Sequence, residues 1–417
     1  MDNKDNKAPL KDHRQIGQEL DLFSFHDVAP GAVFWHPKGL VIYKVLEEFI
    51  RKETEKEGYK EISTPVMVKN SLFKQSGHWE HFGKHNMFNL AIHEDEEIAE
   101  GKIVPEVNYS LKPMNCPEST LIYSTTTRSY QDLPIKFSDY GMLHRRELSG
   151  VLGGLFRLRQ FTIDDAHLYV KPDQIQEEIR KLLTLVVRFY KSLNFQPEFY
   201  FSTKPDKAMG DPKLWDEAEK DLEEALKSAK VKYGIKKKDG AFYGPKIDIH
   251  IKDSQNRDWQ LATIQLDFQI PEKMELEYID ADGKPKRPVM IHRAIFGSFE
   301  RFIGILTEHY RGAFPLWLSP VQVIIMPITD KQGSHAKKIV EDLKKEGIRV
   351  ELDNRTERLQ AKIRDGSLQK VPYLGIIGDR EIESSSISVR MRNGKDLGKL
   401  KISDFLQKLK EEIDKKI

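Results

Sequence analysis

HRRELSGVLGGLFRLRQFTIDDAHLYV, running from His144 to Val170, is the most informative passage of the chain. Its centre, SGVLGG, is a glycine-rich link between two extended segments, so the passage reads as a hairpin with a long loop. Side chains alternate along a strand, which puts Arg157, Arg159, Phe161, Ile163, Asp165, His167 and Tyr169 on one face. Arg145 and Glu147 stand across the loop from that set. Arginines grip phosphate as planar forks and an aromatic face stacks on a nucleobase, so the hairpin carries parts for holding a nucleotide. An ion-paired, exposed sheet face would use the same residues.

The texture around this passage supports a sheet. IDIHIKD (Ile247–Asp253) and WQLATIQLDF (Trp259–Phe268) alternate in the same way, and NG- and DG-containing links between such runs indicate antiparallel pairing rather than repeated βαβ units. Helical periodicity predicts helices over 40–57, 174–192, 213–228 and 296–310. In MIHRAIFGSFERFIGIL, Gly297, Ser298, Glu300, Arg301 and Gly304 open the last of these, and Arg301 one turn in could reach an anion. From Leu318 onward the pattern changes. VQVIIMPI, RVELD, YLGIIGD and SISVRMR read as strands, and HAKKIVEDLKKEG, LQAKIRDGSLQK and KISDFLQKLKEEIDKK read as helices, which makes a small parallel or mixed α/β sheet. The polar residues 1–19 read as an N-terminal arm.

A chain of 417 residues with 39% apolar and 32% charged residues is long enough for two domains and can bury cores in each, which excludes a disordered or fibrous protein. It holds no apolar run of membrane-span length and no signal-peptide pattern, so no membrane partner and a cytoplasmic location are expected. Residues 318–417 hold 21 Lys and Arg against 16 Asp and Glu, a net +5, while the rest hold 46 against 49, a net −3. A basic small domain suits a polyanionic partner, and a lysine-rich solvated surface has the same composition. The one cysteine, Cys116, leaves no internal disulfide and is core filler, nucleophile or metal ligand. Cys116, His167 and His292 are each set in apolar surroundings with no close-spaced partner, so spacing gives no zinc signal. Brought together, a Cys-His-His set would leave a tetrahedral zinc an open position.

Several motifs occur together: SGHW (Ser76–Trp79), KPMNCP (Lys112–Pro117), the HRxE and FRxRxFTxDDAH hairpin, FYGPKIDIHIKD, WQLATIQLDF, and MIHRAIFGSFERFIGILTEHY. With GDREIES and VRMRNGKDLG in the tail, the chain resembles the threonyl-tRNA synthetase family of class II aminoacyl-tRNA synthetases from about Asp12 to its end. The resemblance implies an α+β catalytic domain with a class II antiparallel sheet over 20–313, a linker at 314–319, and a small α/β anticodon-binding domain over 320–417. It implies a threonine–tRNA ligase that uses ATP and L-threonine, charges tRNA(Thr), and assembles as a homodimer through the region around Pro65 to Trp79.

The matching positions carry implied roles. Arg145 and Arg301 match catalytic arginines on the ATP phosphates, and Glu147, Arg157 and Phe161 match further ATP contacts. Gln260 and Thr263 match positions near the ribose and the tRNA end, and His78 a histidine that assists transfer to that end. Asp165, Tyr243, Gln265 and Ser298 match threonine contacts. Cys116, His167 and His292 match the ligands of one zinc ion per chain, and magnesium accompanies ATP. Glu381 and Arg390 match positions that contact anticodon bases.

Three departures stand out. Glu118 and Ser119 follow Cys116–Pro117 where the family usually has Gly-His, and Ile163 replaces a common glutamine. The sequence also lacks the family's N-terminal ubiquitin-like and editing domains, by nature or because it is trimmed. The implied zinc, which takes an amino and a hydroxyl group, implies measurable serine activation and negligible valine activation, and the absence implies no hydrolysis of seryl-tRNA beyond the spontaneous rate. A synthetase for another amino acid, and a non-catalytic tRNA-binding paralogue, are the alternatives on the same fold.

Overall fold

In a computed structural model, which describes residues 11–81, 83–92 and 107–416, the chain divides into two compact units. One comprises Phe25–Val33 and Phe49–Phe302. The other comprises the residues through Ser24, Phe34–Glu48 and Ile303 onward.

The first unit is built on a sheet of nine described strands: β1 (Lys60–Glu61), β2 (Ile135–Asp139), β3 (Met142–His144), β4 (Gln160–Val170), β5 (Glu198–Ser202), β6 (Tyr233–Lys236), β7 (Lys246–Lys252), β8 (Asp258–Asp267) and β9 (Val289–Ser298). Their order is β6-β5-β7-β8-β9-β4-β2-β1, with β3 also paired to β4. Only the β5–β6 and β1–β2 pairs are parallel. The sheet is therefore antiparallel where the alternating sequences predict it, from β7 through β2. Helix α1 (Cys116–Tyr123) packs on β4 through Tyr123 and Tyr169. Helix α2 (Ile175–Ser192) buries Leu182, Leu183, Val186 and Phe189, and Phe189 packs on Phe296 at 4.9 Å.

The hairpin at 144–170 forms with His144 opposite Gln160, so its loop spans 145–159. Strand β4 begins at Gln160, after a 3-10 turn at Gly154–Phe156. Arg159 consequently does not share the face of Phe161. Its Nε donates to Glu147 O (2.9 Å) and its Nη2 to Ser149 Oγ (3.0 Å), which ties the loop together.

The helix expected from Phe296 begins at Phe299, because 296–298 complete β9. The cause is a bulge. Between Ala294 and Ser298 β9 advances four residues while β4 advances two, from Asp165 to Ile163. The main-chain N–H groups freed there donate to the buried carboxyl of Asp164: Ile295 N at 2.9 Å and Phe296 N at 2.8 Å. Arg293, also buried, donates to the same carboxyl at 3.2 Å and lies over the Tyr59 ring. Gly297 takes φ +76°, and a Cβ there would meet Leu261 O at 3.2 Å.

In the second unit, five strands at Val323–Pro327, Val350–Leu352, Tyr373–Ile377, Ser386–Met391 and Asp396–Lys401 form a mixed sheet, parallel among the first three and antiparallel beyond. Val323, Ile325, Leu343, Phe405 and Leu409 centre its core. Part of the expected arm is ordered: His13–Glu19 is a helix whose start carries a capping box from Asp12 and Gln15, and buried His13 meets Glu308 at 2.7 Å. Residues 1–10 of that arm lie outside the described residues. Among the described residues no helix is long and apolar enough to cross a membrane.

The bulge yields a stability prediction. Asp164→Ala would strand the buried Arg293 guanidinium and two main-chain donors, at a cost of about 3–5 kcal/mol. Urea unfolding should show this as a large fall in midpoint, and an unchanged midpoint would contradict it.

Candidate active site

Two clefts adjoin on one face of the large sheet. The first, of about 630 Å³, is walled by Arg145, Glu147, Arg157, Phe161, Ile163, Ser298 and Arg301. The hairpin loop supplies the first three, β4 the next two, and the end of β9 with its following helix the last two. The Arg145 guanidinium lies over the Phe161 ring, 5.2 Å from its centroid. Arg301 Nε donates to Phe156 O at 2.9 Å, and Arg157 Nε stands 3.8 Å from Glu147 Oε2. Three guanidinium groups therefore share one carboxylate. Burial, chiefly, and the neighbouring Arg301 lower the basicity of Arg145, with Glu147 opposing. Burial and Arg157 do the same to Arg301. A cleft with this surplus of crowded positive charge is preorganised for an anion.

The second cleft, of about 600 Å³, shares Arg145 and Ile163 with the first and adds Cys116, Asp165, Tyr243, Thr263, Gln265 and His292. At its base the donor atoms of Cys116, His167 and His292 lie within 4.8 Å of one another, and all three residues are buried. Register brings the histidines together, since His292 on β9 pairs with His167 on β4. Both ring nitrogens of His167 and Nδ1 of His292 lack a hydrogen-bond partner among the described residues. Burial first, then His292 and Arg293, holds His167 well below its usual pKa, so it is a neutral imidazole with a lone pair to offer. His292 Nε2 is taken by Asp267 Oδ2 at 2.9 Å, the second-sphere contact that commonly orients a metal-binding histidine. One soft thiol and two imidazoles, each with a nitrogen unpartnered among the described residues, fit zinc.

Asp165 stands 3.7 Å from His167 Nε2 and accepts from Asn115 at 3.4 Å, and burial pushes its carboxyl up to about 6. The Tyr243 hydroxyl bonds Gln265, whose amide reaches Thr263 at 3.2 Å. Besides His167 beneath the second cleft, two expected residues of this unit lie outside both cleft walls. Gln260 donates to buried Asp248 at 2.5 Å, and His78 is fully buried with Nδ1 2.9 Å from Ser76 Oγ. Of the departures, Ile163 lines both clefts, while Glu118 and Ser119 are buried in α1. In the second unit, Glu381 accepts from Gly378 N and from Ser388 Oγ, both at 3.0 Å. Ser388 and Arg390 alternate on one face of their strand, so Glu381 and Arg390 sit on the same side of it.

Known proteins resemble this chain over nearly its whole length. The model of the class II tRNA synthetase core domain (G, H, P, S and T) matches residues 102–310, and that of the anticodon binding domain matches 322–412. A threonine–tRNA ligase of Caldanaerobacter subterraneus subsp. tengcongensis is 50% identical over 407 residues, which are 98% of this chain and 61% of that protein. One from Clostridium botulinum is 49% identical over 414 residues, 99% of this chain and 63% of the relative. The crystal structure of the RNA binding domain of threonyl-tRNA synthetase from Cryptosporidium parvum Iowa II is 38% identical with a TM-score of 0.90, covering 96% of this chain and 98% of that one. The chain belongs to the threonyl-tRNA synthetase family. It spans about 61–63% of the length of the two bacterial relatives.

In this family member the sequence pattern does not reveal Asp267, Asp164 or Glu300. Asp267 ends a strand and accepts from Gln269 N, the first residue of the next helix, at 2.7 Å, so its second partner, His292, is invisible locally. Glu300 sits in a helical first turn, where a carboxylate normally faces water, yet its buried carboxyl accepts from Thr162 N at 3.0 Å. Burial pushes it up to about 8, against 4.5 unfolded. The folded state therefore binds this proton more tightly, and the associated stability is present below about pH 4.5 and lost as pH rises through about 8. Glu300→Gln, fixed in the neutral form, should flatten the decline in melting temperature between about pH 5 and 8. A decline parallel to wild type would contradict the assignment.

Proposed function

We propose that this chain joins L-threonine to ATP, giving threonyl-adenylate and pyrophosphate, and then passes the threonyl group to the 3′-terminal adenosine of tRNA(Thr). The observation that carries the reading is that Arg145 lines both clefts, at the junction where an α-phosphate would meet an amino-acid carboxylate.

ATP, as its magnesium complex, lies with its phosphates among Arg145, Arg157 and Arg301 and its base on Phe161, where Glu147 takes the adenine edge. A threonine carboxylate oxygen attacks the α-phosphorus, the bond to pyrophosphate breaks, and Arg145 holds the charge that builds on the non-bridging oxygens. Asp165 accepts from the threonine hydroxyl, Tyr243 and Gln265 close around the substrate, and Ser298 reaches it from the wall of the first cleft. Cys116, His167 and His292 would hold a zinc ion, which when bound offers positions to the amino and hydroxyl groups of threonine. An apolar pocket alone rejects an isostere such as valine by only about 1–3 kcal/mol, which is why a hydroxyl-specific partner matters. Gln260 and Thr263 serve the ribose and tRNA end, and His78 assists transfer. Glu381 and Arg390 read anticodon bases from the domain at 320–417, behind a linker at 314–319 and a catalytic domain at 20–313. The active form is a cytoplasmic homodimer joined around Pro65 to Trp79.

ATP–pyrophosphate exchange across a panel of amino acids tests the reading. Threonine should be preferred, and a different preference or no exchange would overturn it. Arg145→Ala should cut threonine-dependent exchange by about 10²–10³-fold, and near-wild-type exchange would remove Arg145 from that role. Arg390→Ala should weaken charging of tRNA while leaving exchange intact, whereas equal loss in both assays would indicate a folding defect.

A further inference from the structure

Of the three side chains that would hold zinc, two are held by the sheet. His167 and His292 face each other across the β4–β9 ladder, and Asp267 orients His292. Cys116 belongs to neither strand. It opens helix α1, so its distance from the two imidazoles depends on how α1 docks against β4.

One buried contact between those elements is polar. Ser119, in the first turn of α1, donates through Oγ to Cys116 O at 2.9 Å, and the Tyr169 hydroxyl stands 2.8 Å from the same Oγ. A serine hydroxyl has one proton, so with that proton on Cys116 O the bond from Tyr169 runs toward serine. The result is a directed chain from Tyr169 Oη through Ser119 Oγ to Cys116 O. Ser119 and Tyr169 are both at 0% exposure, so neither hydroxyl has water as an alternative partner. Tyr169 lies two residues beyond His167 on the same face of β4. Its ring stacks on Tyr123, at the far end of α1, with centroids 4.4 Å apart. Tyr169 thus grips α1 at both ends and roots it in the strand that bears His167.

We infer that Ser119 and Tyr169 form a positioning strut that sets the spacing of Cys116 from His167, and so governs how tightly the site takes zinc. A serine bonding back to the carbonyl three residues before it is common within a helical turn. The tyrosine bond is what joins the two ligand-bearing elements. The inference rests on the zinc reading above, and its test separates the two.

The full chain is stripped of metal and titrated with zinc against a chromogenic chelator, for wild type, Ser119→Ala, Tyr169→Phe and the double variant. Each single change removes one hydroxyl and leaves the packing. Each should weaken zinc binding about 10- to 100-fold, the usual effect of losing an outer-sphere support. The double variant should lose no more than the worse single variant, because both changes break one chain of bonds. Cobalt loading gives a second readout, since the thiolate-to-metal absorption band should weaken or shift in both single variants. A strut that served folding alone would move the melting temperature of the metal-free chain and leave zinc affinity and the cobalt spectrum as in wild type. That outcome leaves the zinc reading standing and overturns the strut. Losses that multiply in the double variant would also overturn it, and a wild-type chain that takes up no zinc would remove both.

Discussion

The pairing of Gln160–Val170 with Val289–Ser298 is the contact on which both clefts depend. Its regular half places His167 opposite His292. Its irregular half, the bulge between Ala294 and Ser298, turns the chain so that Ser298 and Arg301 reach the first cleft. A bulge leaves ladder donors without partners, and in a buried sheet each would cost on the order of 1–3 kcal/mol. Asp164 takes two of them and Glu300 takes Thr162 N on the neighbouring strand, so the irregularity is stabilised by carboxyl groups with no water to compete. The site sits where the sheet breaks its own pattern.

The electrostatics follow from that framework. Arg145 and Arg157 from the hairpin loop and Arg301 from the helix after β9 converge on one cleft, with Glu147 as the only carboxylate among the described residues of its wall. Guanidinium groups crowded together and partly desolvated gain most when an anion arrives, and such differential stabilisation serves phosphoryl chemistry. The second cleft has a different character at its base, with a buried thiol and two imidazoles that each keep a nitrogen unpartnered among the described residues. Arg145 and Ile163 are the shared wall.

Much of this was legible in the sequence, for reasons that can be named. The hairpin at 144–170 announces itself through local signals, a glycine-rich link and strict alternation. The mixed sheet of the second unit does too, through strands and helices of ordinary length. The start of the helix at Phe299 was not legible, because Phe296 fits a helical pattern and what holds it in a strand is Asp164, 132 positions away. The ordered helix at His13–Glu19 carried a readable capping signal in Asp12 and Gln15, set within a polar stretch that reads as an arm. The Cys116, His167 and His292 cluster has no spacing signature, since its members come from a helix and two strands, and only resemblance pointed to it. Ser119 and Tyr169 look like any serine and tyrosine until the fold stacks one element on the other.

On the proposed reading the two clefts form one site, with a nucleotide in the first and an amino acid in the second. A crystal structure with a non-hydrolysable sulfamoyl analogue of threonyl-adenylate tests it most directly. The adenine should lie against Phe161, the sulfamoyl group beside Arg145, and the threonine side chain against a metal held by Cys116, His167 and His292. An analogue bound with its threonyl end away from those three residues, or with its sulfamoyl group out of reach of Arg145, would contradict it.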